Sequence, residues 1–313
     1  MDKDNMLVSV VVVTYNSAEF VIEALNSIKA QTYQHIELII SDDASKDNTV
    51  ELCDNWVKEN NQRFSGCYLL TVEKNTGTSA NYNRGWRKAR GEWIKGLDGD
   101  DRLLPNCIKD NVDYITQHPN VELVFSKSYS FSREGLYTFD YKWNWGGELF
   151  RRLNEREFEA ASYYWCLFCS PTVIISKKCF EEMGGYDETF KFIEDWPMWM
   201  KMVNEKRNIH FLNKITAEYR ISTCSVSQGL GMRNPEYERC QNLVDLKARD
   251  YLKHMSIWSQ IYHYTRERKE NGSKFWSILH LLQYVNPFYH FNMRVLKKCE
   301  QIKNDYKSEC ENE

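Results

Sequence analysis

The run Val8-Ser9-Val10-Val11-Val12-Val13 places five valines in six positions. Valine is stiff at χ1 and packs well on a pleated surface. A nearly continuous apolar run, rather than an alternating one, predicts a strand covered on both faces, as in a parallel sheet. Thr14-Tyr15-Asn16 follows, Ser17 is a candidate N-cap, and Val21, Ala24, Leu25 and Ile28 recur at helical spacing. A second buried strand is expected from Ile36 to Ile40, ending in Ser41-Asp42-Asp43-Ala44-Ser45. Asp47 or Asn48 can cap a helix striped by Val50, Cys53 and Val57. A third strand at Cys67 to Val72, a helix from about Ser79 and a strand ending at Asp98 extend the pattern. This β-α-β-α order predicts an α/β fold with a mostly parallel sheet flanked by helices.

The 313 residues suffice for two ordinary domains or one large α/β domain, and a hydrophobic fraction of 42% supplies a core. A net charge of -3 creates no field favouring nucleic acid, so no nucleic-acid partner is expected. Met1 to Asn5 lead straight into a strand-like run, which predicts no signal peptide. No apolar stretch of ~18 residues exists to span a membrane. Ten cysteines scattered along so long a chain predict reduced thiols and a cytoplasmic location. The close pair Cys166 and Cys169 lies in an aromatic run and reads as buried hydrophobes rather than as a zinc or redox site.

Open sheets of this type bind ligands beyond the carboxyl ends of their strands. Three predicted strands end in polar groups: Thr14-Tyr15-Asn16, Asp42-Asp43, and Asp98-Gly99-Asp100-Asp101. Three carboxylates in four positions repel one another unless a cation offsets them, which points to Mg²⁺ or Mn²⁺ at Asp98 and Asp100. Tyr15 can stack on a base. Asp43 can accept from a ring N–H, or close an Asx-turn into the next helix. Neither a Gly-x-Gly-x-x-Gly fingerprint nor a P-loop motif is present, so phosphate must be held another way, most simply by metal.

Five motifs occur in order: Val8 to Asn16; Asp42-Asp43-x-Ser45-x-Asp47; Asn75-Thr76-Gly77 with Asn83-Arg84-Gly85; Leu97 to Asp101; and Gly184-Gly185-Tyr186-Asp187-Glu188 with Glu194-Asp195-Trp196. Together they resemble glycosyltransferase family 2, inverting sugar transferases of GT-A fold, over roughly residues 6 to 225. The resemblance implies a nucleotide-sugar-binding part at 1–101, an acceptor-binding part of the same domain at 102–225, and a helical C-terminal extension at 226–313. It implies that Thr14, Tyr15 and Asp43 face the nucleobase and Asp98 the ribose or diphosphate. Asp100 then ligates the metal, and Asp101 ligates it or buttresses the loop. Asp195 matches the catalytic base. Gly184 and Gly185, with Glu194 and Trp196, border the donor sugar and acceptor. Arg220 falls where members carry Tyr-Arg-x-His, but Ser222 stands at the histidine position, so no histidine reaches the diphosphate from there.

The chemistry requires such parts without the family. A sugar hydroxyl attacking an anomeric carbon needs a proton acceptor on one side and a stabilised leaving group on the other. Other uses remain open for several residues. Asp195 can be an N-cap ahead of Pro197, the glycine pair a tight turn, and Tyr163-Tyr164-Trp165 with Trp143 and Trp145 core rather than a sugar-stacking platform. Lys46, Arg84 and Arg87 read as solvated helix charges.

Residues 271–299 lack Asp and Glu, carry Lys274, Arg294, Lys297 and Lys298, and show apolar stripes at Phe275, Ile278, Leu279, Leu282 and at Phe288, Phe291, Val295. Such a segment suits the inner face of an anionic membrane, or packing on the catalytic domain or a second subunit. The expected donor is a UDP-hexose and the expected acceptor a glycan or lipid-linked glycan of surface-polysaccharide assembly. A nucleotidyltransferase would need a basic pyrophosphate loop that Asn16-Ser17-Ala18-Glu19 does not provide. The remaining alternative is a non-catalytic nucleotide or sugar binder.

Overall fold

The computed structural model describes residues 6–132, 137–138, 141–221, 235–261 and 286–311. Strands β1 (Val8–Thr14), β2 (Ile36–Asp42), β3 (Gly66–Thr71) and β4 (Trp93–Asp98) pair in parallel. They are joined by α1 (Val21–Lys29), α2 (Thr49–Asn60) and α3 (Thr78–Lys88). The chain continues through β5 (Arg102–Leu103), α4 (Cys107–Gln117), β6 (Leu123–Phe131), β7 (Tyr137–Thr138), α5 (Tyr141–Arg152) and α6 (Glu155–Ser162). Then come β8 (Ile174–Ser176), α7 (Lys177–Glu182), α8 (Asp195–Asn204) and β9 (Ile209–Arg220), followed by α9 (Pro235–His254) and α10 (Pro287–Glu311).

Among the described residues nine strands form one sheet, ordered β3-β2-β1-β4-β8-β6-β9-β5, with β7 on β6. The strand order reverses at β1, between β2 and β4, the place where such sheets open a ligand crevice. Register brings the ends level: Thr14 opposes Asp42, and Val13 opposes Asp98. Beyond β4 the sheet becomes mixed, because β8 runs antiparallel to β4 and β6, and β5 antiparallel to β9. Strands from both sides of residue 101 belong to this sheet.

Every residue of β1 is buried. Val11 and Val13 pack with Tyr82 and Trp86 of α3 on one face, while Val8, Val10 and Val12 pack with Val21, Ala24 and Leu25 of α1 on the other. The valine run thus does what its composition demands. Helix α1 starts at Val21, later than a Ser17 cap predicts, because the Ser17 carbonyl accepts from the Phe20 and Val21 N–H groups in an intervening turn.

The C-terminal helix belongs to the domain core. Val295 and Cys299 of α10 are fully buried, Ile302 and Tyr306 nearly so, within the cluster that includes Leu149 of α5 and Phe158 of α6. Lys298 donates to Glu157 Oε2 at 2.6 Å. Of the two expectations for the stripe Phe288, Phe291, Val295, a membrane surface or packing on the catalytic domain or a second subunit, the structure shows packing on the chain's own core. Residues 271–285 lie outside the described residues. Among the described residues no helix is long and apolar enough to cross a membrane.

Candidate active site

The ends of β1 and β2 are stitched together. Thr14 Oγ1 donates to Asp42 Oδ2 at 2.8 Å, the Ser45 N–H to Asp42 Oδ1 at 2.9 Å, and the Lys46 N–H to Asn16 Oδ1 at 2.7 Å. Asn16 takes φ +53°, which Asn tolerates better than most residues. This rigid rim leaves Tyr15 outside, 47% exposed and open for stacking at the switch point.

Asp43 is 2% exposed and fully engaged. Its Oδ1 accepts from Thr76 Oγ1 at 2.6 Å and Arg84 Nη2 at 3.0 Å, and its Oδ2 from the Thr76 and Gly77 N–H groups, both at 2.8 Å. A carboxylate offers about four acceptor sites, and here protein donors take four. Asp43 thus builds the 75–77 loop ahead of α3. Arg84 is not a solvated charge but its ion-pair partner. Arg87, by contrast, pairs with Glu188 at the surface, and Lys46 is exposed.

At the end of β4, Asp98 Oδ1 accepts from the Tyr82 hydroxyl at 2.9 Å. Burial, then the neighbouring Asp100 charge, pushes the Asp98 carboxyl up to about 7, against the Tyr82 bond and with a further push from Asp195. Burial likewise raises Asp100, and burial with the Asp100 and Asp98 charges raises Asp101. Asp101 is 1% exposed. Its Oδ1 accepts the Arg220 N–H at 2.8 Å, and its Oδ2 is buried without a hydrogen-bond partner.

Arg220 is also buried. Its Nε donates to the Asp100 carbonyl at 2.8 Å and its Nη2 to Glu23 Oε2 at 2.7 Å, with the guanidinium 4.3 Å from the ring centres of both Phe20 and Phe131. Its side chain and main chain thereby tie the Asp100–Asp101 turn to Glu23 of α1. Ser222 lies outside the described residues.

Asp195 opens α8, with Glu194 before it. Asp195 Oδ1 accepts the Trp196 N–H at 2.7 Å, and Oδ2 faces the Cys166 thiol at 3.5 Å. Burial raises Asp195, and burial followed by the Asp195 and Asp98 charges raises Glu194 well above the usual range. The acidic turn and the α8 carboxylates therefore share one electrostatic site. Trp196 is anchored by Nε1 donating to the Ser162 carbonyl at 2.8 Å. Trp145 and Tyr163 are core residues.

Gly184 and Gly185 have φ +80° and +77°. Asn83 clamps the segment from α3, its Nδ2 donating to the Tyr186 carbonyl and its Oδ1 accepting the Tyr186 N–H, both at 2.9 Å. A Cβ on Gly185 would lie 2.9 Å from that Oδ1.

Among the described residues no three His, Cys, Asp or Glu side chains surround one point as a closed metal cage. Mg²⁺ and Mn²⁺ bound together with a diphosphate need only one or two carboxylates, so such a cage is not required. The unpartnered Asp101 Oδ2 and the mutual repulsion of the buried Asp101 carboxyl and the half-buried Asp98 and Asp100 carboxyls fit a hard divalent cation at this turn.

The family model described as glycosyl transferase family 2 matches residues 9–184, more than half of the chain. The chain belongs to this family. The putative teichuronic acid biosynthesis glycosyltransferase TuaG of Bacillus subtilis is 23% identical over 225 residues, 71% of this chain and 81% of TuaG. S. aureus TarS 1–349 in complex with UDP-GlcNAc superposes with a TM-score of 0.60 at 17% identity, covering 97% of this chain and 92% of that one. Against a longer TarS chain the coverage is 55% of TarS. The mannosyltransferase PcManGT from Pyrobaculum calidifontis, in complex with GDP-Man and Mn²⁺, gives 0.54 at 16% identity, covering 96% and 88%. The transferase has the GT-A fold. Sequence reasoning missed Tyr82, Asn83, Cys166, Glu23 and the anchoring roles of Arg84 and Arg220. The one available signal lay in Asn83-Arg84, read only as part of a motif.

Proposed function

We propose that this glycosyltransferase moves a hexose from a nucleoside-diphosphate sugar, in the first instance a UDP-sugar, to a glycan hydroxyl with inversion. The observation carrying this reading is the placement of Asp195, at the start of α8, in one electrostatic site with the Asp98–Asp101 turn at the strand switch point. On this reading Asp195 takes the proton and the Asp98–Asp101 cluster holds the end from which the diphosphate leaves.

In this reading Tyr15 stacks on the base, with Thr14 and Asp43 shaping its pocket. Asp98 and Asp100 hold the diphosphate end, Asp101 and Arg220 fix the turn, and Asp195 takes the proton of the attacking hydroxyl. Gly184, Gly185, Glu194 and Trp196 form the wall beside donor sugar and acceptor. Residues 1–101 supply the donor half and 102–225 the acceptor half, with 226–313 as the extension. Mg²⁺ or Mn²⁺, when bound, would offset charge on the departing diphosphate as a Lewis acid, worth several kcal/mol. TarS bound to UDP-GlcNAc supports a UDP-sugar, and the teichuronic acid biosynthesis named for TuaG supports a polysaccharide acceptor; a lipid-linked form of that acceptor at the inner membrane face is our own extension of this reading.

The test is a donor screen with UDP-GlcNAc, UDP-glucose and GDP-mannose plus Mn²⁺, scoring release of nucleoside diphosphate. Asp195→Asn should lose ~10²-fold or more of the rate yet still bind UDP, as expected when a general base is removed. Near-wild-type turnover by this variant would overturn the assignment of the base. Formation of nucleoside triphosphate and sugar 1-phosphate from these donors on addition of pyrophosphate, with no release of nucleoside diphosphate, would establish a nucleotidyltransferase instead.

A further inference from the structure

The two oxygens of Asp195 are held unequally. Oδ1 takes a strong main-chain donor, the Trp196 N–H at 2.7 Å. Oδ2 faces the Cys166 thiol, from the segment after α6, at 3.5 Å. The same thiol has a second acceptor in the Phe168 carbonyl at 3.6 Å. Burial and then the Asp195 charge push the Cys166 thiol well above its usual range, so it stays a protonated donor.

A carboxylate that must accept a proton faces opposing demands. It has to be fixed in direction, because a small misplacement of a reacting group costs heavily in rate. It must also stay basic, yet every hydrogen bond to the charged form lowers its basicity. A thiol is a weak donor, and an N–H or O–H in its place would cost more basicity. With Oδ1 tied down by the backbone, Oδ2 is the freer and more basic oxygen.

We propose that Cys166 is a positioning residue for Asp195, holding Oδ2 toward the acceptor hydroxyl through a bond weak enough to leave that oxygen basic. The inference rests on Asp195 being the base. In the step it serves, the acceptor O–H proton passes to Oδ2 as the acceptor oxygen bonds to the anomeric carbon. The bond from that carbon to the phosphate oxygen breaks, and its electron pair leaves with the nucleoside diphosphate.

The experiment measures Mn²⁺-supported turnover of UDP-GlcNAc, or of whichever tested donor is consumed, for wild type, Cys166→Ala, Cys166→Ser, Asp195→Asn and the double variant Cys166→Ala/Asp195→Asn. Cys166→Ala should lower kcat about 10-fold with donor KM within about twofold and an unchanged melting temperature. Cys166→Ser should recover much of the loss, since a hydroxyl also donates. The double variant should be no slower than Asp195→Asn alone, as for residues acting as a unit. If Cys166→Ala keeps kcat within twofold, or Ser recovers nothing, the inference is overturned while an inactive Asp195→Asn leaves the base assignment standing. If Asp195→Asn is active, the base assignment itself fails.

Discussion

Arg220 donates its main-chain N–H to Asp101 Oδ1 and its Nε to the Asp100 carbonyl, both at 2.8 Å. The last residue of β9 thereby sets the shape of the turn that follows β4. Its guanidinium lies between two phenyl rings and is tied to Glu23, so position and charge are fixed together.

Arg220→Lys should therefore be far from conservative. Lysine keeps the charge but loses the planar fork that reaches the carbonyl and Glu23 together, and it stacks less well between the rings. We expect activity to fall about 10-fold or more and half-saturation to move to higher Mn²⁺, because the Asp100–Asp101 turn loosens. Kinetics at varied Mn²⁺ concentration check this; an unchanged Mn²⁺ dependence would remove the link between Arg220 and the turn.

The acidic site also makes a pH prediction. Asp98 is raised to about 7, and Asp100, Asp101, Glu194 and Asp195 are raised too. A carboxyl with a raised folded-state pKa binds more protons folded than unfolded, so its contribution falls as pH rises from the ordinary carboxylate range near 4 toward 7. Metal-free protein in EDTA should melt lower at pH 7.5 than at pH 5.5. Mn²⁺ with UDP should restore the difference mainly at the higher pH. Asp98→Asn should flatten the slope. A metal-free melting temperature that rises across this interval would contradict the prediction.

The glycine pair separates two kinds of cost. Ala at 184 meets open space and suffers only from the left-handed backbone, about 1 kcal/mol. Ala at 185 carries the same strain and also drives a methyl against Asn83 Oδ1, disturbing the clamp on Tyr186. Urea midpoints should rank wild type above Gly184→Ala above Gly185→Ala, and turnover should fall further for Gly185→Ala than for Gly184→Ala; the reverse order would contradict the Asn83 clamp.

What could be read in advance follows physical range. The valine run and the α1 stripe are local signals and are buried as read, whereas α2 buries Thr49, Cys53 and Trp56 in place of Val50 and Val57, because its inward face is set by the sheet it packs on. The Arg84–Asp43 pair spans 41 residues and the Arg220–Asp101 bond 119, so both depend on sheet order and on the pairing of β9 with β6. A sequence shows a charge but not which strand will deliver its partner. The same limit applies to Cys166, which is half-buried where Cys169 is buried, and whose neighbour Asp195 was not legible. In the tail the apolar stripe was visible, and the surface it meets was not.

That tail supplies a last test. Val295 is fully buried against the face built by α5 and α6, and Arg152 of α5 pairs with Glu309 and Asp305 of α10 at 3.2 and 3.6 Å. An aspartate at 295 would bury a carboxylate among apolar side chains with no partner of opposite charge supplied by the change, costing about 3–4 kcal/mol. At about 2 °C per kcal/mol for a chain of this size, Val295→Asp should lower the melting temperature by roughly 6–8 °C. Met293, 37% exposed on the same helix, is the control: Met293→Asp should move it by under about 2 °C. Equal small shifts for both would mean that α10 adds little to the core, and its apolar stripe would then be free to serve another surface.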